Sequence, residues 1–186
     1  MPNRILIVVD MQRDFIDGAL ANPAAQAIVP LIAKEISEGG YDSVFFTEDR
    51  HAPRSYAKSQ EGRLLPVPHC LAGTPGVAIE PTILGAAHSV ARVSGKKPPT
   101  VVSKDSFGSI QLAQDVRSEH PTEVVLVGTC TDICVISNAL ILKAAMPEVP
   151  VRVIPWLCAG TSPEAHAEAL RAMRRCQVIV PDEEPK

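Results

Sequence analysis

EVVLVGTCTDICVISNALILKAAM, residues 123–146, is the stretch that decides the fold. Its first six residues, EVVLVG, are an apolar run of strand length, and DICVISNALILKAAM (132–146) is a strongly apolar segment of helix length. A run that is apolar at successive rather than alternate positions suits a strand covered on both faces. A strand that leads into a helix is half of a βαβ unit, and the same alternation continues outward in both directions. Downstream, VRVIP (151–155), SPEAHAEALRAMRR (162–175) and QVIV (177–180) read as strand, helix and strand. Upstream, TVVSK (100–104) is a short strand and IQLAQDVRSEH (110–120) a helix. At the N-terminal end RILIVV (4–9) reads as a central strand, and YDSVFFT (41–47) as its neighbour. Between them Asn22 and Pro23 open a helix whose apolar positions Ala27, Ile28, Leu31, Ile32 and Ile36 run on to Gly39 and Gly40. The expected fold class is α/β: a doubly wound, mostly parallel sheet with helices on both faces, joined by right-handed crossovers.

A chain of 186 residues matches one domain, 1–186, with enough length for one core. A net charge of -3 supplies no basic field for a phosphate backbone, which argues against nucleic acid and for a small-molecule partner. The apolar run Ile5–Val9 stops at Asp10, too short for a membrane span and wrongly flanked for a secretory signal, so the chain reads as cytoplasmic with no membrane partner. Its 5 cysteines are odd in number and contain no CxxC pair, which argues against a disulfide framework or a zinc ribbon. Cys130, Cys158 and Cys176 read as packing residues, with Cys130 near enough to Cys134 to line a site.

Residues 48–99, rich in Pro, Gly and His, form a long loop-rich segment of the kind that carries binding or active sites. In open parallel sheets the ligand crevice lies beyond the carboxyl ends of the strands. Asp10, Asp49, His51, Lys104 and Cys134 all fall at or just past such ends. In the first turn of a helix, Cys134 would feel the positive end of the dipole, which favours its thiolate; a free cysteine is equally a common core filler. Asp10, directly after a buried strand, is a candidate base or a turn residue, and Lys104 a candidate counter-charge or a solvated lysine. Asp49 and His51, two apart on extended chain, project the same way. With His69, and Glu61 as a fourth donor, they would suit a divalent cation, zinc first, with iron or manganese as alternatives.

Six segments, IVVDMQRDF (7–15), FFTEDRH (45–51), PHCLAGTPG (68–76), SKDSF (103–107), VLVGTCTDICV (125–135) and AGTSPEAHAEAL (159–170), together resemble the isochorismatase-like cysteine hydrolases, and within them the nicotinamidases. The resemblance implies a three-layer α/β/α fold and a homo-oligomer. It implies catalytic roles for Asp10, Lys104 and Cys134, and metal-ligand roles for Asp49, His51 and His69, with Glu61 near an acidic ligand of some members. It further implies a cis peptide entering Cys130, an oxyanion hole from the backbone N–H groups of Cys130 and Cys134, and stacking of substrate on Phe15. The implied reaction is nicotinamide to nicotinate and ammonia through a cysteine thioester. The chain departs from the pattern at LLPVPH (64–69), which lacks a common Trp, and at Trp156, Asn138 and Ile141. Two other readings stay open: a metal-independent cysteine amidase acting on a carbamoyl or ureido amide, and a metal-binding or redox-sensing module without turnover.

Overall fold

The computed structural model describes residues 3–182. Residues 1–2 and 183–186, the ends of the expected domain, lie outside the described residues. Five strands, β1 (Arg4–Val9), β2 (Ser43–Asp49), β3 (Thr100–Lys104), β4 (Glu123–Thr129) and β5 (Val151–Ala159), form one sheet in the order β3-β2-β1-β4-β5. Every pairing is parallel.

The continuous apolar runs are central strands, as expected, because both faces of the sheet are covered. On one face Ile5, Ile7 and Val9 of β1 and Val124 and Leu126 of β4 pack under α3 (Ile110–Ser118), α4 (Ile136–Ala145) and α5 (Pro163–Arg175). On the other, Leu6, Val8, Val125 and Val127 meet α1 (Pro23–Glu38) and α2 (Pro81–Ser94). The expected Asn22 cap is present, its side chain accepting from the N–H of Ala24 at 2.9 Å, with Pro23 behind it. Among the described residues no helix is long and apolar enough to cross a membrane.

Four local expectations change. The 48–99 segment contains α2, a regular helix capped by the Glu80 side chain and closed by left-handed Gly95 at φ 65°, so its irregular part ends near residue 80. Strand β5 continues past Pro155 to Ala159 because the ladder to β4 shifts register between Leu126 and Gly128, where a proline without an N–H can be accommodated. QVIV is no full strand: Ile179 makes a single parallel bridge to Arg152, bounded by the positive φ of Gln177 (65°) and by Pro181. The helix expected over 132–146 opens as a π-turn, Thr131–Val135, before α4, an irregularity frequent at functional sites.

Gly128, at φ 118°, lets β4 approach β1: a Cβ there would sit 2.2 Å from the carbonyl oxygen of Val9. Gly128→Ala combines that clash with a conformation closed to L side chains. It is expected to lower the free energy of urea unfolding by more than about 1 kcal/mol.

Candidate active site

Strand order places the site. The chain passes from β1 outward to β2 and β3, then returns to the other side of β1 as β4, so the crevice between the carboxyl ends of β1 and β4 is a topological switch point. Asp10 leaves β1 there, and Cys130 and the π-turn leave β4. β2 delivers Asp49 and β3 delivers Lys104 to the same rim.

Asp10 is fully buried in a left-handed conformation at φ 47°, which aspartate adopts more readily than most residues. Thr47 on neighbouring β2 holds it twice: its hydroxyl accepts from the Asp10 N–H at 3.0 Å and donates to Oδ1 at 2.5 Å. Lys104 Nζ lies 2.7 Å from Asp10 Oδ2, 3.4 Å from Asp49 Oδ1 and 3.8 Å from Cys134 Sγ. The 2.7 Å approach is an ion pair without hydrogen-bond angles. Asp10 Oδ2 is accordingly held by the Lys104 charge rather than by an aligned hydrogen bond.

Burial pushes the Asp10 carboxyl up; Lys104 opposes the shift and Asp49 adds to it. Burial alone would lower the Lys104 ammonium, but Asp10, then Cys134 and Asp49, carry it above its ordinary value. The expected thiolate is not the resting state of Cys134. Burial first and the Asp10 carboxylate next raise its thiol well above the usual range, outweighing Lys104. A protonated sulfur thus faces a carboxylate whose own proton affinity is raised toward it, a match that favours transfer between them.

Asp49, His51, Glu61 and His69 do converge, their donor atoms all within 4.8 Å of one another. His51 Nε2 is 2.9 Å from Asp49 Oδ2 and 3.6 Å from Glu61 Oε1; His69 Nε2 is 3.5 Å and 3.4 Å from the same two oxygens. These spacings suit a divalent cation bonded at about 2.0–2.2 Å to each. His69 Nδ1 lies 2.8 Å from the carbonyl of Val67, which can only accept, so Nδ1 carries a proton; the protonated ring then donates from Nε2 to Asp49, and the neutral ring turns an Nε2 lone pair into the cluster. Burial acts to raise Asp49, yet hydrogen bonds from His51 and His69 bring it below the usual carboxylate range. Burial acts to lower His69, and its bond to Asp49 carries it upward instead. Two carboxylates and two imidazoles this close are a set that a cation would satisfy.

The peptide Thr129–Cys130 is cis. The Cys130 carbonyl accepts from the N–H groups of Ile133 (3.1 Å) and Val135 (3.0 Å), which leaves the Cys134 N–H out of that pair of bonds. Phe15 packs its ring 5.5 Å from that of His69, tilted by 57°. Cys158 is buried, its thiol pushed up to about 12, whereas Cys176 is exposed and not the packing residue expected.

Sequence reading missed the groups that hold these side chains. Gln12, buried, accepts from the Asp49 N–H at 2.7 Å and donates to the Asp49 carbonyl at 2.8 Å. Asn138, also buried, donates to the carbonyls of Cys134 (2.8 Å) and Phe107 (3.2 Å) and accepts from the Ser109 N–H (2.9 Å). A lone amide inside an apolar helix was the available signal for Asn138. Nothing local marked Thr47.

The isochorismatase domain family model matches residues 4–184. A nicotinamidase/pyrazinamidase of Mycobacterium tuberculosis is 29% identical over 181 residues, 94% of this chain and 96% of that protein. A pyrazinamidase/nicotinamidase structure from Streptococcus mutans superimposes with TM-score 0.78 at 27% identity, over 96% of this chain and all (100%) of that one. A pyrazinamidase of Pyrococcus horikoshii, solved in complex with zinc, gives TM-score 0.78 at 25% identity over 98% and 100% of the two chains.

A cation held by four groups that come together only in the fold stabilises the folded state. Zinc at about 100 times its dissociation constant should add about 2.7 kcal/mol to unfolding. Thermal melts with and without zinc check this, and His69→Ala should abolish the shift.

Proposed function

From membership of the isochorismatase family, to which this chain belongs, we propose that the protein is an amide hydrolase converting nicotinamide and water to nicotinate and ammonia through a thioester on Cys134. One observation carries the reading: a buried lysine ammonium lies 2.7 Å from the Asp10 carboxylate and 3.8 Å from the Cys134 thiol. The M. tuberculosis relative, named for nicotinamide and pyrazinamide hydrolysis, supports the choice of substrate.

Asp10 Oδ2 takes the thiol proton as the sulfur forms its bond to the amide carbon, so no free thiolate accumulates in the buried site. Lys104, between both partners, holds the negative charge in place as it moves from carboxylate to sulfur. The backbone N–H groups of Cys130 and Cys134 receive the oxyanion, each donor contributing on the order of 100- to 1000-fold in rate. As the C–N bond breaks, Asp10 returns its proton to the nitrogen and ammonia leaves. Water then adds to the thioester carbon with Asp10 again as base; the C–S bond breaks, and the proton goes back to the sulfur as nicotinate is released. Asp49, His51, His69 and Glu61 would hold a divalent cation, zinc by analogy with the P. horikoshii structure, and such an ion would supply Lewis-acid character beside the substrate. Phe15, against His69, would form a wall for the substrate ring.

Ammonia release from nicotinamide is expected for the purified protein and should be lost in Cys134→Ala. Asp10→Asn separates the roles more finely. It removes the charge that raises the Cys134 thiol, so alkylation of Cys134 by iodoacetamide at fixed pH should quicken. Turnover should meanwhile fall by about 100- to 10,000-fold through loss of the base. Slower alkylation, or turnover that survives either substitution, contradicts the assigned roles.

A further inference from the structure

A crevice of about 630 Å³ opens from the metal-ligating pair His51 and Glu61 and from Ile133, the neighbour of Cys134. Its lining carries three exposed large apolar side chains, Leu64 at 79%, Leu65 at 36% and Phe107 at 47%, with the polar Arg50, Gln60 and Asp105 beside them. Scattered exposed leucines mean little, but three large apolar side chains lining one concavity that starts at His51 and Glu61 and at Ile133, one residue before Cys134, mark a ligand surface beside the site. The volume lies in the range of about 300–1,000 Å³ that holds drug-sized ligands.

Both walls are tied to the reactive centre by side chains shared with it. Tyr56 donates to the Leu65 carbonyl at 2.8 Å and lies 3.2 Å from Nδ1 of His69, fixing the leucine wall to the cation cluster. Asn138 donates to the Phe107 carbonyl and to the Cys134 carbonyl, fixing the opposite wall to the nucleophile turn. The concavity is therefore preformed, and its position is set by the same groups that set the chemistry.

We infer that the preferred substrate is an aromatic primary carboxamide carrying a neutral apolar substituent, with the amide at Cys134 and the substituent between Leu64, Leu65 and Phe107. This rests on the amide-hydrolase reading and narrows it. The segment LLPVPH provides both leucines, so the departure from the family pattern at that segment becomes the specificity element.

The test compares ammonia release by the purified protein from nicotinamide and from 5-phenylnicotinamide. kcat/KM is expected to be about 10-fold or more higher for the phenyl compound, since burial of even a single methylene gives about 10- to 200-fold in a hydrophobic pocket. Leu64→Asp, at an exposed position that should not disturb folding, is expected to cut kcat/KM for the phenyl compound about 10-fold more than for nicotinamide. Turnover of nicotinamide with equal or poorer turnover of the phenyl compound overturns the crevice assignment and leaves the amidase reading standing. A gain for the phenyl compound that Leu64→Asp leaves intact also overturns it. No ammonia from either amide overturns both.

Discussion

The Lys104 ammonium, almost wholly buried, stands between the Asp10 and Asp49 carboxylates and within reach of the Cys134 sulfur. Taking two carboxylates out of water at adjacent strand ends would drive both toward protonation, because desolvation disfavours charge and each repels the other. A cation fixed between them lets the site keep negative charge in a dry place. Attraction within such a pair repays desolvation only with close geometry, and removal of one partner leaves the other stranded. The arrangement therefore contributes little net stability but much constraint. Asp49 shares itself further, offering Oδ1 to Lys104 and Oδ2 to His51 and His69, so that the Asp10–Lys104–Cys134 group and the Asp49–His51–Glu61–His69 cluster meet in one carboxylate.

Parallel topology makes this meeting possible. Lys104 and Asp10 come from strands separated by β2, and the long lysine stem reaches past β2 over its last residue, Asp49. Register does the fine placement. Thr47 faces Asp10 because β1 and β2 pair as Val8 with Phe46, and Gly128 permits β4 to close on Val9 from the other side. A single-residue slip in either ladder would turn these side chains to the opposite face.

The parts of this design that were legible in the sequence are those encoded locally. The apolar runs of β1 and β4 and the Asn22–Pro23 helix start carry signals within a few residues, and the strand-end positions of Asp10, Lys104 and Cys134 followed from them. Helix α2 was obscured because its cap Glu80 and its terminator Gly95 sit in a segment crowded with other Pro and Gly. Continuation of β5 past Pro155 depends on a register shift in the partner strand, and the high proton affinity of Cys134 depends on burial that outweighs its place at a helix start. Thr47, Gln12 and Asn138 act across 29 to 37 positions of chain, which no local pattern announces. Three members of the cluster, His51, Glu61 and His69, are joined by the folding of the irregular segment, and spacing alone could propose but not place them.

A double-mutant cycle in urea unfolding between Asp10→Asn and Lys104→Met probes the central ion pair most directly. Lys104→Met alone should cost about 3–5 kcal/mol, since it leaves buried carboxylate charge without its counter-charge. With Asp10 also neutral the loss should shrink, giving a coupling of about 0.5–3 kcal/mol. Additivity within about 0.3–0.5 kcal/mol would show that the two groups do not depend on each other, and would contradict the electrostatic basis given for this site.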